Sequence, residues 1–200
     1  MKGGGPASGP AEMTDEELLR MAARGDESAF LTLYERHKGA VFRFAFRMLG
    51  SAALAEEVTH DCFAGLVRAP ARFDASRAAL RTYLYAAARN LACKHFRRHG
   101  AEFPFEEADD ALPAEESEGP LRKLLDAELA SEVRRAVSQL PPLQREVVVL
   151  VEYEELTLAE AAAVVGADVG AVKSRLHRAR QSLRRSLSFY IKRNGGAVSA

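Results

Sequence analysis

The chain has 200 residues, of which 48% are hydrophobic and 28% charged, and these proportions are typical of a folded soluble protein. The longest strongly apolar stretch, residues 147–151, is far shorter than the ~20 residues that span a bilayer, so no membrane span is expected. Two cysteines, Cys62 and Cys93, cannot supply a disulfide framework and are predicted to be small buried side chains in a reducing compartment. We therefore expect a cytoplasmic protein whose residues 1–13 form a flexible tail, without the apolar core of a signal peptide.

The formal net charge is zero, but the charges are unevenly distributed along the chain. Residues 64–98 contain eight basic side chains and one acidic one, whereas residues 101–119 contain eight acidic side chains and no Lys or Arg. Residues 169–193 again contain eight basic side chains and no acidic one. Basic blocks of this kind favour a polyanionic partner such as nucleic acid. Solvated helix faces, the ordinary alternative, usually carry charges of both signs.

Hydrophobic spacing predicts helices throughout the first half of the chain, because strand alternation and tight hairpin turns are missing. Thr14 begins a capping box, and Asp26 is placed to cap the second helix. Gly50 and Ser51 end that helix and begin a third, which Pro70 stops. The second helix carries one apolar stripe, which consists of Phe30, Leu33, Tyr34, His37, Val41, Phe44 and Met48.

A fourth helix is predicted over residues 76–98, with Leu80, Leu84, Ala87 and Leu91 facing inward. The following prolines, glycines and acidic residues have no sustained period and predict a linker. Helical spacing then resumes with Leu125, Leu129, Val133 and Val137 on one side, and Pro142 is well placed to open the next helix. The prediction is an all-α protein with two small helical domains joined by a flexible acidic linker. Its segments are a tail (1–13), a first domain (14–98), a linker (99–120), a second domain (121–193) and a tail (194–200).

Residues 156–185 predict a helix-turn-helix, in which a short helix and a glycine turn precede a basic helix. Thr157 can cap the short helix, and Gly166 falls where the turn needs a residue tolerant of positive φ. The second helix starts near Val169, and its N-terminal part would enter the major groove. There Lys and Arg can bond guanine edges, and Ser can bond a base or a phosphate. Its candidate contacts are Lys173, Ser174, Arg175, His177, Arg178 and Arg180. The alternative is an ordinary helical hairpin with a basic face.

Motifs in both predicted domains resemble those of one family. Residues 140–146 (LPPLQRE), 156–160 (LTLAE) and 170–180 (GAVKSRLHRAR) resemble region 4 of bacterial RNA polymerase sigma factors of the extracytoplasmic-function (ECF) type. Three other segments resemble region 2 of the same family. They are residues 30–50, residues 55–63 (AEEVTHDCF), and residues 83–90 (YLYAAARN) together with Arg97 and Arg98. The resemblance covers residues 26–187, with the motifs and the linker in the family's order.

The resemblance implies a sigma factor, a protein without enzymatic activity that directs core RNA polymerase to promoters and helps to open them. Core polymerase, through its β′ and β subunits, promoter DNA and an anti-sigma factor are the implied partners, with no cofactor and no metal. The implied polymerase-binding residues are Glu56, Glu57, His60 and Asp61. The residues implied for the −10 element are Phe73, Arg81, Tyr83, Arg89, Asn90, Lys94, Arg97 and Arg98, and the six candidates of the helix-turn-helix would contact the −35 element.

Several alternatives remain open from the sequence. Tyr85 could stack on an unpaired base, but the core is the preferred interpretation. The acidic linker either enters a positive channel of the polymerase or is a solvated spacer. His95 and His99 have a metal-ligand spacing, but no third ligand is placed to complete a site. The runner-up function is a stand-alone helix-turn-helix regulator with a helical sensory domain, which would normally dimerise on palindromic DNA.

Overall fold

The computed structural model describes residues 13–99, 120–188 and 190. Those residues form eight α-helices, one 3₁₀ turn (Pro70–Arg72) and one π-helical segment (Val149–Tyr153), and they include no strand, which confirms the all-α prediction. The predicted acidic linker lies outside the described residues, apart from its two ends, which belong to helices. The helices are α1 (Asp15–Ala22), α2 (Glu27–Leu49), α3 (Ala52–Arg68), α4 (Leu80–His99), α5 (Pro120–Ser138), α6 (Pro142–Val148), α7 (Leu158–Val165) and α8 (Val169–Ser186).

Short-range capping bonds fix the helix ends of the first domain largely as predicted. Thr14 and Glu17 form the capping box of α1, and the Asp26 carboxylate accepts from two backbone N–H groups at the start of α2. Gly50 ends α2 with a φ of 72°, a left-handed conformation that glycine adopts without steric cost. Ser51 occupies the N-cap position of α3, but its side chain makes no capping bond there.

The fourth helix begins at Leu80, later than the predicted residue 76. The Asp74 carboxylate accepts both the backbone N–H and the hydroxyl of Ser76, at 3.0 and 2.7 Å. This bonding holds the segment in a local Asx turn, which competes with helix formation. The hydrophobic spacing therefore continues upstream of the point at which the helical backbone begins.

Helix α2 forms the centre of the first domain and packs against α1, α3 and α4. Leu33, Val41, Phe44 and Met48 of the predicted stripe are fully buried. His37 is buried as well, and its Nε2 lies 2.7 Å from a carboxylate oxygen of Asp15, which ties α1 to α2. Core packing also fixes Cys62 on α3, where burial and the nearby Asp61 raise the thiol pKa to about 12.

The buried face of α4 differs from the predicted one. Leu80 and Leu84 are buried as expected, but the stripe continues through Ala88 and Ala92, whereas Ala87 and Leu91 are only half-buried. Helix α4 packs against α2 and α3 on one side and against α7 of the second domain on another. Small alanine side chains at the buried positions allow the helices to approach closely.

The second domain contains the predicted helix-turn-helix, formed by α7 and α8. Thr157 and Glu160 form the capping box of α7, and Gly166 ends α7 with a φ of 64°. The Asp168 carboxylate accepts from the backbone N–H of Ala171 and caps α8. The predicted inward positions Val172, Leu176 and Ala179 of α8 are buried, and Leu183 is half-buried. On α5, Val137 is buried but Leu129 is exposed.

The two domains pack directly against each other, which the prediction of a flexible connection did not anticipate. Helix α2 contacts α5, α6 and the π-helical segment, and α4 contacts α7. We call this contact region the interdomain seam. Its most buried basic residue is Arg145 of α6, which is 6% exposed. The Arg145 guanidinium donates to the carbonyl of Met48 at the end of α2, over 2.5 Å, and to the carbonyls of Ser138 and Leu140.

Substitution of Arg145 by Ala is expected to lower the stability of the chain by about 2–4 kcal/mol, because several carbonyls lose their donor in a buried site. Burial also lowers the pKa of Arg145 to about 10, which reflects how strongly this charge depends on its surroundings. Chemical denaturation followed by circular dichroism measures the change. Arg135→Ala, at an exposed position of α5, is the control, and an equal loss in both variants would contradict the assigned role.

Candidate nucleic-acid interface

Helix α8 presents most of its predicted DNA contacts on one solvent-facing side. Lys173, Ser174, His177 and Arg178 are exposed, as their positions between the buried residues of α8 require. Gln181 and His177 contact each other at 3.0 Å along the same face. No acidic side chain occurs on α8, so this face offers donors and positive charge to DNA.

Two arginines of α8 from the predicted set are bound within the protein. Arg180 contacts Glu152 over 2.6 Å while remaining exposed. Arg175 is half-buried, and its Nη1 lies 3.2 Å from the Glu146 carboxylate of α6. A base contact by Arg175 therefore requires this arginine to leave Glu146 or to share its remaining donors. The exposed face of Lys173, Ser174, His177 and Arg178 needs no such exchange.

The basic helix α4 divides into two parts. Asn90, Lys94, Arg97 and Arg98 are exposed towards its C-terminal end, where they form a positive surface. Nearer its start, the two other predicted arginines point to the second domain. Arg81 lies beside Glu154, and Arg89 lies beside Glu146. The C-terminal end of α4 is thus exposed, whereas Arg89 is half-buried in the interdomain seam and Arg81 contacts Glu154 while remaining exposed.

The aromatic side chains near α4 have two different environments. Phe73 and Tyr83 are half-buried and pack edge to face, with ring centroids 5.6 Å apart. Tyr85 is 0% exposed and packs against Phe44, which confirms the core interpretation of this residue. Of these three aromatic residues only Phe73 and Tyr83 retain some exposure, so they remain the candidates for stacking on an unpaired base.

The acidic residues predicted to bind polymerase form one exposed surface on α3. Glu56, Glu57, His60 and Asp61 are all solvent-exposed and follow one another at helical spacing. Glu57 lies 4.0 Å from His95 of α4. This negative surface faces solvent while the interdomain seam is formed, and it suits a partner with a basic face.

Sequence reasoning missed the buried carboxylates that organise the seam. Glu154, 3% exposed, accepts from Arg47 at 2.9 Å and from the Tyr85 hydroxyl at 2.5 Å, and its backbone carbonyl accepts from Arg81. Glu146, which is 0% exposed, binds Arg89 at 2.9 Å through one oxygen and Arg175 through the other. The available signal was a carboxylate directly before the apolar run 147–151, where an acidic residue needs a charged partner.

The surroundings of Tyr85 and Arg89 in the seam favour the protonated forms of both side chains, which donate hydrogen bonds. Burial and the hydrogen bond to Glu154 raise the pKa of Tyr85, so its hydroxyl remains a donor. Burial opposes the charge of Arg89, but the hydrogen bond and the negative charge of Glu146 outweigh it and raise the pKa of this arginine. The seam is therefore a set of charged and donor groups that stabilise one another.

Two other features are absent from the part of the chain that the structure describes. Over 13–99, 120–188 and 190, no cluster of three or more His, Cys, Asp or Glu residues has a geometry for holding a metal ion. Within the same residues, no helix combines the length and the hydrophobicity needed to cross a membrane.

Comparison with known proteins identifies the family. The sigma-70 region 2 family model matches residues 33–102, and the sigma-70 region 4 model matches residues 130–183. The chain is 31% identical to the RNA polymerase sigma-H factor of Pseudomonas aeruginosa, over 86% of this chain and 93% of that protein. It is 30% identical to the ECF RNA polymerase sigma-E factor of Escherichia coli K12, over 91% of this chain and 98% of that protein.

A solved structure agrees with these relatives. The structure of CnrH in complex with the cytosolic domain of CnrY covers 87% of this chain and 97% of CnrH, with 28% identity and a TM-score of 0.61. The same family is indicated by the two helical domains, by the helix-turn-helix and by the sequence motifs quoted above. The chain therefore belongs to the ECF RNA polymerase sigma factors.

Proposed function

We propose that this sigma factor binds core RNA polymerase through α3, recognises promoters through α4 and α8, and helps to open the duplex. The observation that carries the proposal is the presence of two basic helices in separate domains beside a distinct acidic helix surface. A stand-alone regulator needs only one helix that reads DNA. A second basic helix end, such as that of α4, is not expected in its sensory domain. Residues 14–98 and 121–193 are the proposed functional units.

Each surface receives a role in this proposal. Glu56, Glu57, His60 and Asp61 contact the polymerase, through a basic face of its β′ or β subunit. The proposed −10 residues are Phe73, Arg81, Tyr83, Arg89, Asn90, Lys94, Arg97 and Arg98. The proposed −35 residues are Lys173, Ser174, Arg175, His177, Arg178 and Arg180. Lys94, Arg97 and Arg98 bind phosphates, which supplies affinity without sequence information.

An anti-sigma factor and a cytoplasmic location belong to the same proposal. The similar CnrH was solved with the cytosolic domain of CnrY. A partner of that kind would act by covering the polymerase-binding or DNA-binding surfaces of this chain. A sigma factor acts together with RNA polymerase, so we propose that this chain is located in the cytoplasm.

Reconstitution with core polymerase tests the proposed function. The purified chain is mixed with core enzyme, the mixture is separated by gel filtration, and the complex is supplied with a pool of randomised templates. We expect co-elution and transcripts enriched for a two-part promoter. Binding to duplex DNA by the chain alone as a dimer, without co-elution with the polymerase, would instead support the stand-alone regulator.

Loss of one base-reading arginine on α8 is expected to weaken upstream recognition selectively. Arg178→Ala should cost about 1–3 kcal/mol of holoenzyme binding if Arg178 makes a bidentate guanine contact. It should also relax preference at one or two upstream positions. Binding of the holoenzyme to the selected promoter and to single-base variants measures both effects.

Arg135→Ala removes the same charge from an exposed position of α5 and is the matched control. The candidate base contacts on α8 also include Arg175, whose substitution by Ala should produce a comparable loss if Arg175 leaves Glu146 when the factor binds DNA. Footprint loss confined to the downstream element would contradict the assignment of α8 to the −35 element.

A further inference from the structure

Glu146 of α6 is a fully buried carboxylate with one basic partner on each oxygen. Its Oε2 accepts from Arg89 Nε of the first domain at 2.9 Å, and its Oε1 accepts from Arg175 Nη1 of the second domain at 3.2 Å. Glu146 itself is 0% exposed, so the two arginines, and not solvent, balance its charge. A carboxylate in such a site depends on its cationic partners to remain ionised and buried.

Arg175 lies at the edge of the solvent-facing side of α8. Val172 and Ala179, three residues before and four residues after it, are buried, whereas Ser174 and Arg178 on its other side are exposed. Of the Arg175 side chain, 24% is exposed. Its place on the helix therefore lets the guanidinium reach the buried carboxylate from the boundary of the surface proposed to contact DNA.

The bond to Glu146 uses only part of the hydrogen-bonding capacity of Arg175. A guanidinium carries several N–H donors, and among the residues that the structure describes Arg175 bonds only Glu146, through Nη1. Its Nε and Nη2 form a flat edge with two parallel donors, which matches a pair of acceptors in one plane. The O6 and N7 atoms of guanine are such a pair, and so are two oxygens of a DNA phosphate. Arg175 can thus bind Glu146 and DNA at the same time.

Leaving Glu146 is the costlier way for Arg175 to bind DNA. In the proposed function Arg89 contacts the −10 element, and Arg175 is then the remaining described arginine bonded to Glu146. A buried carboxylate that loses every cationic partner is strongly destabilised. Glu146 and Arg175 belong to the same domain, so this pair, unlike the pair with Arg89, needs no contact between domains.

We propose that Glu146 is a positioning residue for Arg175, which it holds through Nη1 while the Nε–Nη2 edge binds a pair of acceptors on the upstream promoter element. The carboxylate fixes the plane of the guanidinium before DNA binds, which lowers the conformational entropy lost on binding. The acceptor pair is a guanine edge or a phosphate, and the two differ in their dependence on sequence. The inference rests on the proposed role of α8 in binding the −35 element.

Binding of the holoenzyme to the selected promoter tests this role through the sign of one effect. Glu146→Gln keeps the size of the side chain and removes its charge. We expect upstream binding to weaken about fivefold, because a neutral hydrogen bond holds Arg175 less firmly than a charge-assisted one. Tighter binding by Glu146→Gln would overturn the proposal, because it would show that Arg175 has to leave Glu146 to bind DNA.

Glu152→Gln is the matched control for this substitution. Glu152 also contacts an arginine of α8, since it lies 2.6 Å from Arg180, but both of these side chains are exposed. The control removes the same charge from beside the same helix without removing a buried anchor. It should therefore bind the promoter at least as tightly as the wild type.

A double-variant cycle separates positioning from a general structural role. In the Arg175→Ala background, Glu146→Gln should change upstream binding by less than about twofold, because no arginine is left to position. Release of Arg89 affects the downstream element, so binding is compared between templates that differ only upstream. An undiminished loss in the Arg175→Ala background would show that Glu146 supports the fold of the domain, and it would overturn the proposal.

Single-base variants of the upstream element identify the acceptor pair. With a guanine partner, Glu146→Gln and Arg175→Ala should relax the preference at the same single position. With a phosphate partner, both should weaken binding equally for every sequence and lower its salt dependence by about one counter-ion. Either result supports binding of DNA by an arginine that Glu146 holds. Relaxation at different positions in the two variants would contradict it, since a positioning residue acts through its arginine.

Two further outcomes cover loss of fold and failure of the proposed function. Arg175→Lys keeps a cation for Glu146, so its circular dichroism spectrum should match the wild type, but an ammonium lacks the paired donors and should reproduce the binding defect of Arg175→Ala. Wild-type upstream binding by folded Arg175→Lys would refute the paired contact. A chain that does not bind core polymerase would contradict the proposed function and this inference together. A holoenzyme that selects promoters but binds them equally well with Glu146→Gln would contradict the inference alone.

Discussion

Reversal of two charges on α3 is expected to abolish most of the affinity for core polymerase. In the variant Glu57→Lys with Asp61→Lys, a negative surface becomes positive opposite the proposed basic face of the polymerase. Like charges brought together at an interface cost several kcal/mol, and the loss should be at least about tenfold, or ~1.4 kcal/mol. Both positions are exposed, so the helical fold should be unaffected. Fluorescence anisotropy of labelled factor titrated with core enzyme measures the affinity.

The control for this variant carries the same change in net charge at other exposed positions. Glu16→Lys with Glu155→Lys places the reversals on α1 and on the turn before α7, away from α3. We expect the control to retain near wild-type affinity. Equal weakening in both double variants would indicate a general charge effect, and unchanged co-elution of the α3 variant would refute the polymerase assignment.

Combined substitution of Tyr83 and Asn90 by Ala is expected to impair promoter opening far more than promoter binding. Tyr83 is the half-buried partner of Phe73, and Asn90 is exposed on α4, so both side chains are at least partly accessible from solvent. An aromatic side chain stacked on a base contributes about 1–3 kcal/mol, and the Asn amide can donate to and accept from a base edge. The holoenzyme should still bind the duplex through α8.

Permanganate reactivity of unpaired thymines measures the opening defect. A template with a mismatched downstream element, which is already melted, should restore most initiation. Tyr83→Phe with native Asn90 is the matched control, because it keeps the ring against Phe73 and should retain opening. Equal losses on duplex and pre-melted templates would show that these residues hold the fold or the strand generally. Circular dichroism must first confirm that the double variant is folded.

Local sequence signals predicted the helix ends because the interactions that form them span only a few residues. The capping boxes at Thr14 and Thr157 each close within one turn. The left-handed ends at Gly50 and Gly166 depend on the absence of a side chain at one position. These features were read correctly from the sequence. The start of α4 was not, since the Asx turn at Asp74 competes with the helix over the same residues.

Burial on α4, and of Arg175 on α8, was predicted less well, because it depends on what each helix packs against. Spacing alone assigned Ala87 and Leu91 to the core, but contact with both α2 and α7 turns Ala88 and Ala92 inward. Arg175 looked like an exposed reading residue, and Glu146 holds it half-buried. The roles assigned to the site residues remain predictions, since they concern contacts with molecules outside the chain.

The sequence by itself determined the all-α architecture, the helix-turn-helix and the family, since periodicity, capping residues and ordered motifs are all written in short stretches of chain. Only the tertiary structure decided that the domains pack together and that Glu146 and Glu154 face arginines of α4. Those pairs, Arg89–Glu146 and Arg81–Glu154, join residues 57 and 73 positions apart. Each partner alone reads as an ordinary charged residue, because its counterpart lies in the other domain.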